Sequence, residues 1–301
     1  MTRRADLSLV LITIVWGSTF TVVDSMVKSV GTMPLLALRF AVATIALLPW
    51  LRWTPRAAWQ QPRLFMVGAG LGTLLFAGFA TQTLGLALTT PTRAGFITGL
   101  SVVLVPLLGL VWGERPRPAQ LVAVVLALVG LVVLAWGGRW LGGSEVVESP
   151  SSAWGDAWVL ACAFAFAGYI IAAGNTPRDL AAAPLNIVQL GTVALLATVF
   201  LPLVPGPLPW RDGNLWAAVL FLGVVATAAI YPLQLWAQRW VSPTRAALIF
   251  ALEPIFAALF AWWWGDDRID LATWLGGGLM VTAIICSELP LKRFSLRRVV
   301  R

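Results

Sequence analysis

Few side chains in this sequence could carry out covalent or metal chemistry. The chain has no histidine, and its two cysteines, Cys162 and Cys286, both lie within apolar runs. This argues against a metal site and against histidine-based acid–base catalysis, and no cofactor is expected. The acidic residues between the apolar runs, such as Glu145, Asp156 and Asp267, are dispersed rather than convergent. An enzyme acting on lipid-linked substrates is therefore a weak alternative, and we predict that the protein is not an enzyme.

The chemistry that remains is binding. Aromatic and polar side chains interrupt the apolar runs, and such side chains suit a small molecule with an apolar body and charged ends. The candidates for a binding cavity are Trp16, Ser18, Thr19, Phe79, Gln82, Thr98, Ser101, Phe166, Tyr169, Tyr231, Gln234 and Glu253. Each has an alternative role, because Ser, Thr and Gln also hydrogen-bond between packed helices and rings also fill interiors.

Two of these candidates occupy equivalent depths. Ser101 and Glu253 each lie ten residues after the proline that opens a PTRA sequence. In a helix this is about 15 Å, half of the hydrocarbon thickness of a bilayer. An ionised carboxylate there costs about 2.5–3.5 kcal/mol. Because Pro254 leaves the Phe250 carbonyl without its helical N–H, we expect Glu253 to have a structural or gating role beside that carbonyl.

The composition places these residues in a membrane. Of 301 residues, 59% are hydrophobic and 11% are charged, and the mean hydropathy is +0.85. Soluble domains carry about 25% charged residues, so lipid is the expected solvent, and the 17 tryptophans suit interfacial belts. The net charge of +8 is dispersed between apolar runs, so we predict no nucleic-acid partner.

Ten membrane spans of about 20 residues are predicted, which makes the fold class all-α integral membrane. Their bounds are roughly 6–24, 34–51, 65–87, 91–112, 119–137, 155–174, 184–204, 215–237, 243–264 and 271–289. The first run follows two arginines and lacks a small-residue cleavage site, so it is expected to be retained. With the N-terminus inside, the inner segments hold 15 Lys and Arg and the outer segments hold five. Both termini are therefore expected in the cytoplasm.

The chain also repeats itself. Residues 82–114 align with residues 234–266 without a gap, and ten of the 33 positions are identical. We predict a first five-helix repeat at residues 1–137, a periplasmic linker at 138–154 and a second repeat at 155–301. Because five is odd, the second repeat is inverted in the membrane, as in secondary transporters that work by alternating access. A purely structural duplication is the alternative.

Helix breakers lie near the predicted midplane. Candidate hinge or gating residues are Pro106, Pro232, Pro254, Gly95 and Gly99. Prolines free a carbonyl one turn earlier, and glycines let helices approach closely. Close packing without movement is the alternative for each.

Four stretches resemble one family. IVWGSTF (14–20), MPLLALRFAVA (33–43), LVPLLGLVWGERP (104–116) and LEPIFAALFAWWWGD (252–266) are similar to signatures of the drug/metabolite transporter superfamily, EamA-type. The resemblance implies ten helices around a central cavity lined mainly by spans 1, 3, 4, 6, 8 and 9.

Within this superfamily, the chain most resembles the YddG-type amino-acid exporters. This implies a transporter in the bacterial inner membrane that exports small amphipathic metabolites, most of all aromatic and neutral amino acids, with a single chain sufficient. Export of other metabolites or of drugs, including multidrug or cation efflux, is the alternative. Since no second midplane acid offers a proton relay, facilitated export is favoured over proton coupling.

Overall fold

The protein is described by a computed structural model covering residues 2–89, 91–111, 113, 116–140, 153–207, 211–264 and 271–287. Within these ranges every regular element is helical. The helices are α1 (Thr2–Val30), α2 (Thr32–Leu47), α3 (Arg56–Trp59), α4 (Pro62–Leu86), α5 (Pro91–Gly99), α6 (Ser101–Val111), α7 (Pro118–Trp140), α8 (Ala153–Gly174), α9 (Ala182–Phe200), α10 (Gly213–Leu220), α11 (Ile230–Gln238), α12 (Pro243–Phe250), α13 (Glu253–Trp264) and α14 (Leu271–Ser287). A 3₁₀ segment (Leu48–Trp53) extends α2, and a π-helical segment (Phe221–Ala229) joins α10 to α11.

In the described part of the chain, seven helical stretches are long and apolar enough to cross a membrane: Thr2–Val30, Thr32–Trp53, Pro62–Leu86, Ala153–Gly174, Ala182–Phe200, Gly213–Gln238 and Pro243–Phe260. Three shorter apolar stretches, Ile97–Val111, Pro118–Val133 and Trp274–Ser287, lie where the other predicted spans were placed. The all-helical membrane fold predicted from the sequence is confirmed. The number of ten spans and the division into two repeats stay predictions.

Two predicted spans are broken at their centres. Residues 91–111 form α5 and α6, which are separated at Leu100, and residues 243–264 form α12 and α13, which are separated at Ala251 and Leu252. At each break a backbone N–H bonds three residues back, from Leu100 to Ile97 and from Leu252 to Ile249. The alignment of the repeats places Leu100 on Leu252, so the two breaks occur at equivalent positions.

The starts of these helices follow from local chemistry. Ser242 caps α12, because its hydroxyl accepts from the Arg245 N–H at 3.3 Å, and Pro243 occupies the first turn. Pro91 opens α5 in the same way, but the preceding residue, Thr90, and the Arg93 side chain lie outside the described residues.

The contacts between helices follow the order of the predicted spans. Helix α7 of the fifth predicted span packs on α14 of the tenth, and α2 of the second packs on α9 of the seventh. Helix α1 of the first span packs on α12 and α13 of the ninth, and α8 of the sixth packs on α5 and α6 of the fourth. The two broken helices also contact each other, α5 with α13 and α6 with α12.

Candidate functional site

A cavity lies where the two broken helices meet α1, α2, α4, α8 and α11. Its volume is about 90 Å³. On the same scale, one water molecule needs a cavity volume of roughly 10–15 Å³. The cavity therefore has room for several waters or for a small organic molecule.

The cavity extends from the centre of the molecule toward one end. On α1 its wall is formed by Trp16, Thr19, Phe20 and Val23, which have the spacing of one helix face. The wall continues along α4 to Leu86 and along α5 to Ala94. On α1 and α4 these positions run from the helix midpoint toward the C-terminal end, and Ala94 lies in the first turn of α5. Val23, Leu86 and Ala94 belong to one apolar cluster at this end, away from the N-terminus of α1.

Eleven of the twelve predicted cavity residues line this cavity. The exception is Ser18, which is buried and donates to the Val15 carbonyl at 2.7 Å. The prediction for Ser18 is wrong because it lies two residues from Trp16 on a helix, where a 200° rotation turns its side chain away from the cavity. Thr19 lines the wall, although its hydroxyl also bonds within α1, to the Trp16 carbonyl at 2.7 Å.

Of the five predicted hinge residues, three line the cavity and two do not. Pro254, Gly95 and Gly99 line the cavity, whereas Pro106 lies within an unbroken α6 and Pro232 lies within α11. A Cβ on Gly99 would lie 2.9 Å from a Leu131 methyl, so close packing accounts for that glycine. A Cβ on Gly95 would meet nothing within 4 Å, so packing does not explain it.

Two groups of rings form the apolar wall. Trp16 contacts Tyr231 and Phe250 with ring centroids 5.8 and 5.3 Å apart, and Tyr231 meets Tyr169 edge to face at 5.9 Å. The Trp16 indole N–H donates to the Ala226 carbonyl of the π-helical segment at 3.2 Å. This bond joins α1 to the π-helical segment of the eighth predicted span.

The second group consists of Phe79 and Phe166, whose centroids lie 5.3 Å apart. Phe40 does not line the cavity and packs against Phe79 at 5.1 Å. The Phe166 ring packs directly against Gly78, because a Cβ at residue 78 would lie 2.5 Å from a ring carbon. The rings therefore surround the cavity on the sides of α4 and α8.

Arg39 lines the cavity but is not among the cavity residues predicted from the sequence. It is 3% exposed and lines the cavity, and its Nε donates to the Thr227 hydroxyl at 2.9 Å. The guanidinium carbon lies 4.7 Å from the centre of the Phe79 ring. The signal was present in the sequence, since Arg39 is a charged residue inside an apolar span and such residues mark functional sites.

The polar candidates differ in how well they are hydrogen-bonded. The Gln82 amide lies 3.4 Å from the Thr98 hydroxyl, and the Tyr169 hydroxyl donates to Gln189 at 3.3 Å. The Gln234 side-chain oxygen is fully buried and has no partner in the part of the chain that is described.

Glu253 begins α13 and lines the cavity. Its carboxylate makes no hydrogen bond or salt bridge to any described residue, so the expected contact with the Phe250 carbonyl does not form. Glu253 and its neighbour Pro254 both contribute to the cavity wall.

The opposite end of the molecule is closed. Arg245 of α12 binds Asp6 of α1 through two hydrogen bonds of 2.8 and 2.6 Å. Behind this ion pair, a buried apolar cluster that includes Leu9, Ile12 and Ala247 fills the space. The described residues contain no group of His, Cys, Asp and Glu that could hold a metal ion.

Comparison with known proteins gives a consistent result. The pattern that defines the EamA-like transporter family matches residues 3–136 and 153–288. An uncharacterized transporter of Archaeoglobus fulgidus is 29% identical over 95% of this chain and 86% of its own length. The uncharacterized inner membrane transporter YedA of Escherichia coli is 25% identical over 95% and 91%. A crystal structure with 24% identity superposes with a TM-score of 0.75 and covers 95% of this chain and 96% of the other, which shows a shared fold.

Proposed function

Because the chain belongs to the EamA-like transporter family of the drug/metabolite transporter superfamily, it is a multi-pass membrane transporter, and we propose that it exports small amphipathic metabolites, above all aromatic and other neutral amino acids. The observation that carries this proposal is the ring-lined cavity, which residues from both predicted repeats build. An apolar wall with a few polar groups suits an amino acid with a large side chain. We place the protein in the bacterial inner membrane, where its relative YedA is named a transporter.

The transport mechanism that fits this cavity is alternating access. If both termini lie in the cytoplasm, as the distribution of Lys and Arg favours, the Asp6–Arg245 end faces the cytoplasm and the cavity extends outward. Asp6 belongs to the first repeat and Arg245 to the second. Rocking of the repeats must break this pair before substrate can enter from the cytoplasm.

The breaks at Leu100 and Leu252 are the proposed hinges. Each divides a span that lines the cavity into two shorter helices, and they occupy equivalent positions in the two repeats. A broken helix has fewer backbone bonds to lose when its halves move. Since one chain encloses the cavity, we propose that a monomer suffices for transport.

We propose that transport is facilitated, because among the described residues that line the cavity no second acid offers a proton relay beside Glu253. Purified protein in liposomes, with and without an imposed pH gradient, tests this. We expect the wild type to equilibrate substrate and not to concentrate it. Concentration by the wild type and only equilibration by Glu253→Gln would identify Glu253 as a proton-coupling site instead.

The substrate class is tested by uptake of a labelled panel into the same liposomes. The panel contains aromatic, aliphatic, acidic and basic amino acids together with an aromatic amine. We expect uptake above that of protein-free liposomes for aromatic and aliphatic amino acids. The amine addresses export of cationic drugs, an alternative that gains support from the Glu253 carboxylate on the wall. Uptake of the amine without amino acids would favour that alternative.

A further inference from the structure

We propose that the cavity recognises the two charged ends of a zwitterion separately, with Arg39 binding a carboxylate and Glu253 together with Gln234 binding an ammonium group. This inference rests on the proposed transport of amino acids. It adds which residues bind the carboxylate and the ammonium group on the α-carbon.

The charges on the wall are balanced. Among the described residues that line the cavity, Arg39 and Glu253 are the charged ones. They do not form a salt bridge with each other, so each is available to a ligand. A cationic ligand would satisfy only Glu253, and an anionic ligand would satisfy only Arg39. A zwitterion satisfies both at once and leaves the occupied cavity neutral, which is the favourable state at this depth in a membrane.

Arg39 is one of the residues that line the cavity. Its Nε is occupied by Thr227, whose hydroxyl in turn donates to the Leu222 carbonyl at 2.7 Å. The terminal guanidinium nitrogens have no hydrogen-bond acceptor among the residues that the structure describes. With Nε held and the plane packed near Phe79, the side chain is fixed before a ligand arrives. Two parallel N–H groups in this geometry match a carboxylate.

The ammonium end is formed by oxygen acceptors without partners. Gln234 is 1% exposed, and its side-chain oxygen makes no hydrogen bond to the described residues. The Glu253 carboxylate is likewise not hydrogen-bonded. Buried acceptors are normally satisfied, so these oxygens require a donor that the described residues do not provide. An ammonium group carries three N–H donors and a positive charge, which suit both.

The test uses purified protein in detergent and labelled L-phenylalanine as the probe. Unlabelled 2-phenylethylamine, which lacks the carboxylate, and 3-phenylpropanoate, which lacks the ammonium group, compete for binding. Since a hydrogen bond to a charged group is among the stronger contacts in proteins, we expect each analogue to bind roughly 10- to 100-fold more weakly than phenylalanine. Equal competition by either analogue would overturn the proposal.

Two variants assign the ends. In Arg39→Gln, phenylalanine and phenylethylamine should bind within about threefold of each other, while phenylpropanoate stays the weakest. In Glu253→Gln the pattern should reverse, with phenylpropanoate equal to phenylalanine. Matched controls are Arg178→Gln and Asp24→Asn, which remove exposed charges outside the cavity and should leave both ratios unchanged. Unchanged ratios in the two cavity variants would contradict the assignment.

The outcomes separate this inference from the proposed function. A wild type that binds phenylalanine but does not discriminate against the analogues refutes the zwitterion site and leaves amino-acid transport standing. A wild type that neither binds phenylalanine nor takes it up refutes both. Should Arg39→Gln fail to fold, the proposal is still tested without it. The two analogues test both ends of the ligand on the wild type, and Glu253→Gln tests the ammonium end.

Discussion

Breaking the Asp6–Arg245 ion pair should shift the protein toward a state that is open at this end. The two side chains are 22% and 23% exposed and share two short hydrogen bonds, so the pair lies between a surface ion pair and a buried one. Exposed pairs contribute about 0.2–1 kcal/mol, and hydrogen bonds to charged groups contribute about 1.5–3 kcal/mol. We therefore expect the ion pair to stabilise the closed state over the open state by about 1–2 kcal/mol. This free energy corresponds to a factor of roughly 5–30 in the ratio of the two populations.

The reporter for this shift is a cysteine at Ala247, which is 1% exposed behind the ion pair. In a background of Cys162→Ala and Cys286→Ala, Ala247→Cys should react slowly with an impermeant thiol reagent applied to inside-out vesicles. Adding Asp6→Asn should raise the reaction rate about 5- to 30-fold, because the opened population rises by that factor.

Two further variants control the experiment. Asp24→Asn removes the exposed Asp24–Lys28 pair of α1 and should change the rate less than about twofold. Exchanging the charges of Asp6 and Arg245 should return the rate most of the way to that of the background. A rate that is unaffected by Asp6→Asn, or that rises equally in Asp24→Asn, would refute the role of this pair as a gate.

Three other predictions address the topology, the cavity and the packing. Single cysteines at Arg93 and Arg245 should react from opposite sides of intact cells, and labelling of both from one side would end the argument for inverted repeats. Trp16→Ala should reduce transport of aromatic amino acids in liposomes more than it reduces the yield of folded protein, and equal losses would make Trp16 a packing residue. Gly17→Ala should destabilise the protein by about 1–3 kcal/mol in thermal unfolding, since a Cβ there would lie 2.6 Å from a side-chain carbon of α13. Gly70→Ala, whose Cβ would meet nothing within 4 Å, is its control.

The sequence was sufficient for the properties that depend on local composition. Hydropathy identified a helical membrane protein, and four motifs identified its superfamily. The depth of Ser101 and Glu253 followed from counting residues along a helix, and both residues begin the second half of a broken helix at the cavity. Counting along one helix requires no knowledge of its neighbours, which is why these predictions were possible.

The role of each side chain depended on packing between distant segments. Ser18 shares its helix with Trp16 but faces away from the cavity, and hydropathy alone does not fix the rotation of an apolar helix whose faces are all hydrophobic. Arg39 meets Thr227 across 188 positions, and Asp6 meets Arg245 across 239. Whether a polar group such as the Gln234 oxygen finds a partner is decided only when the helices have packed. The sequence by itself therefore determined the membrane class and the helical fold. The tertiary structure decided which candidate side chains face one another, because a hydrogen bond or an ion pair needs atoms within about 3 Å and nothing local specifies that distance.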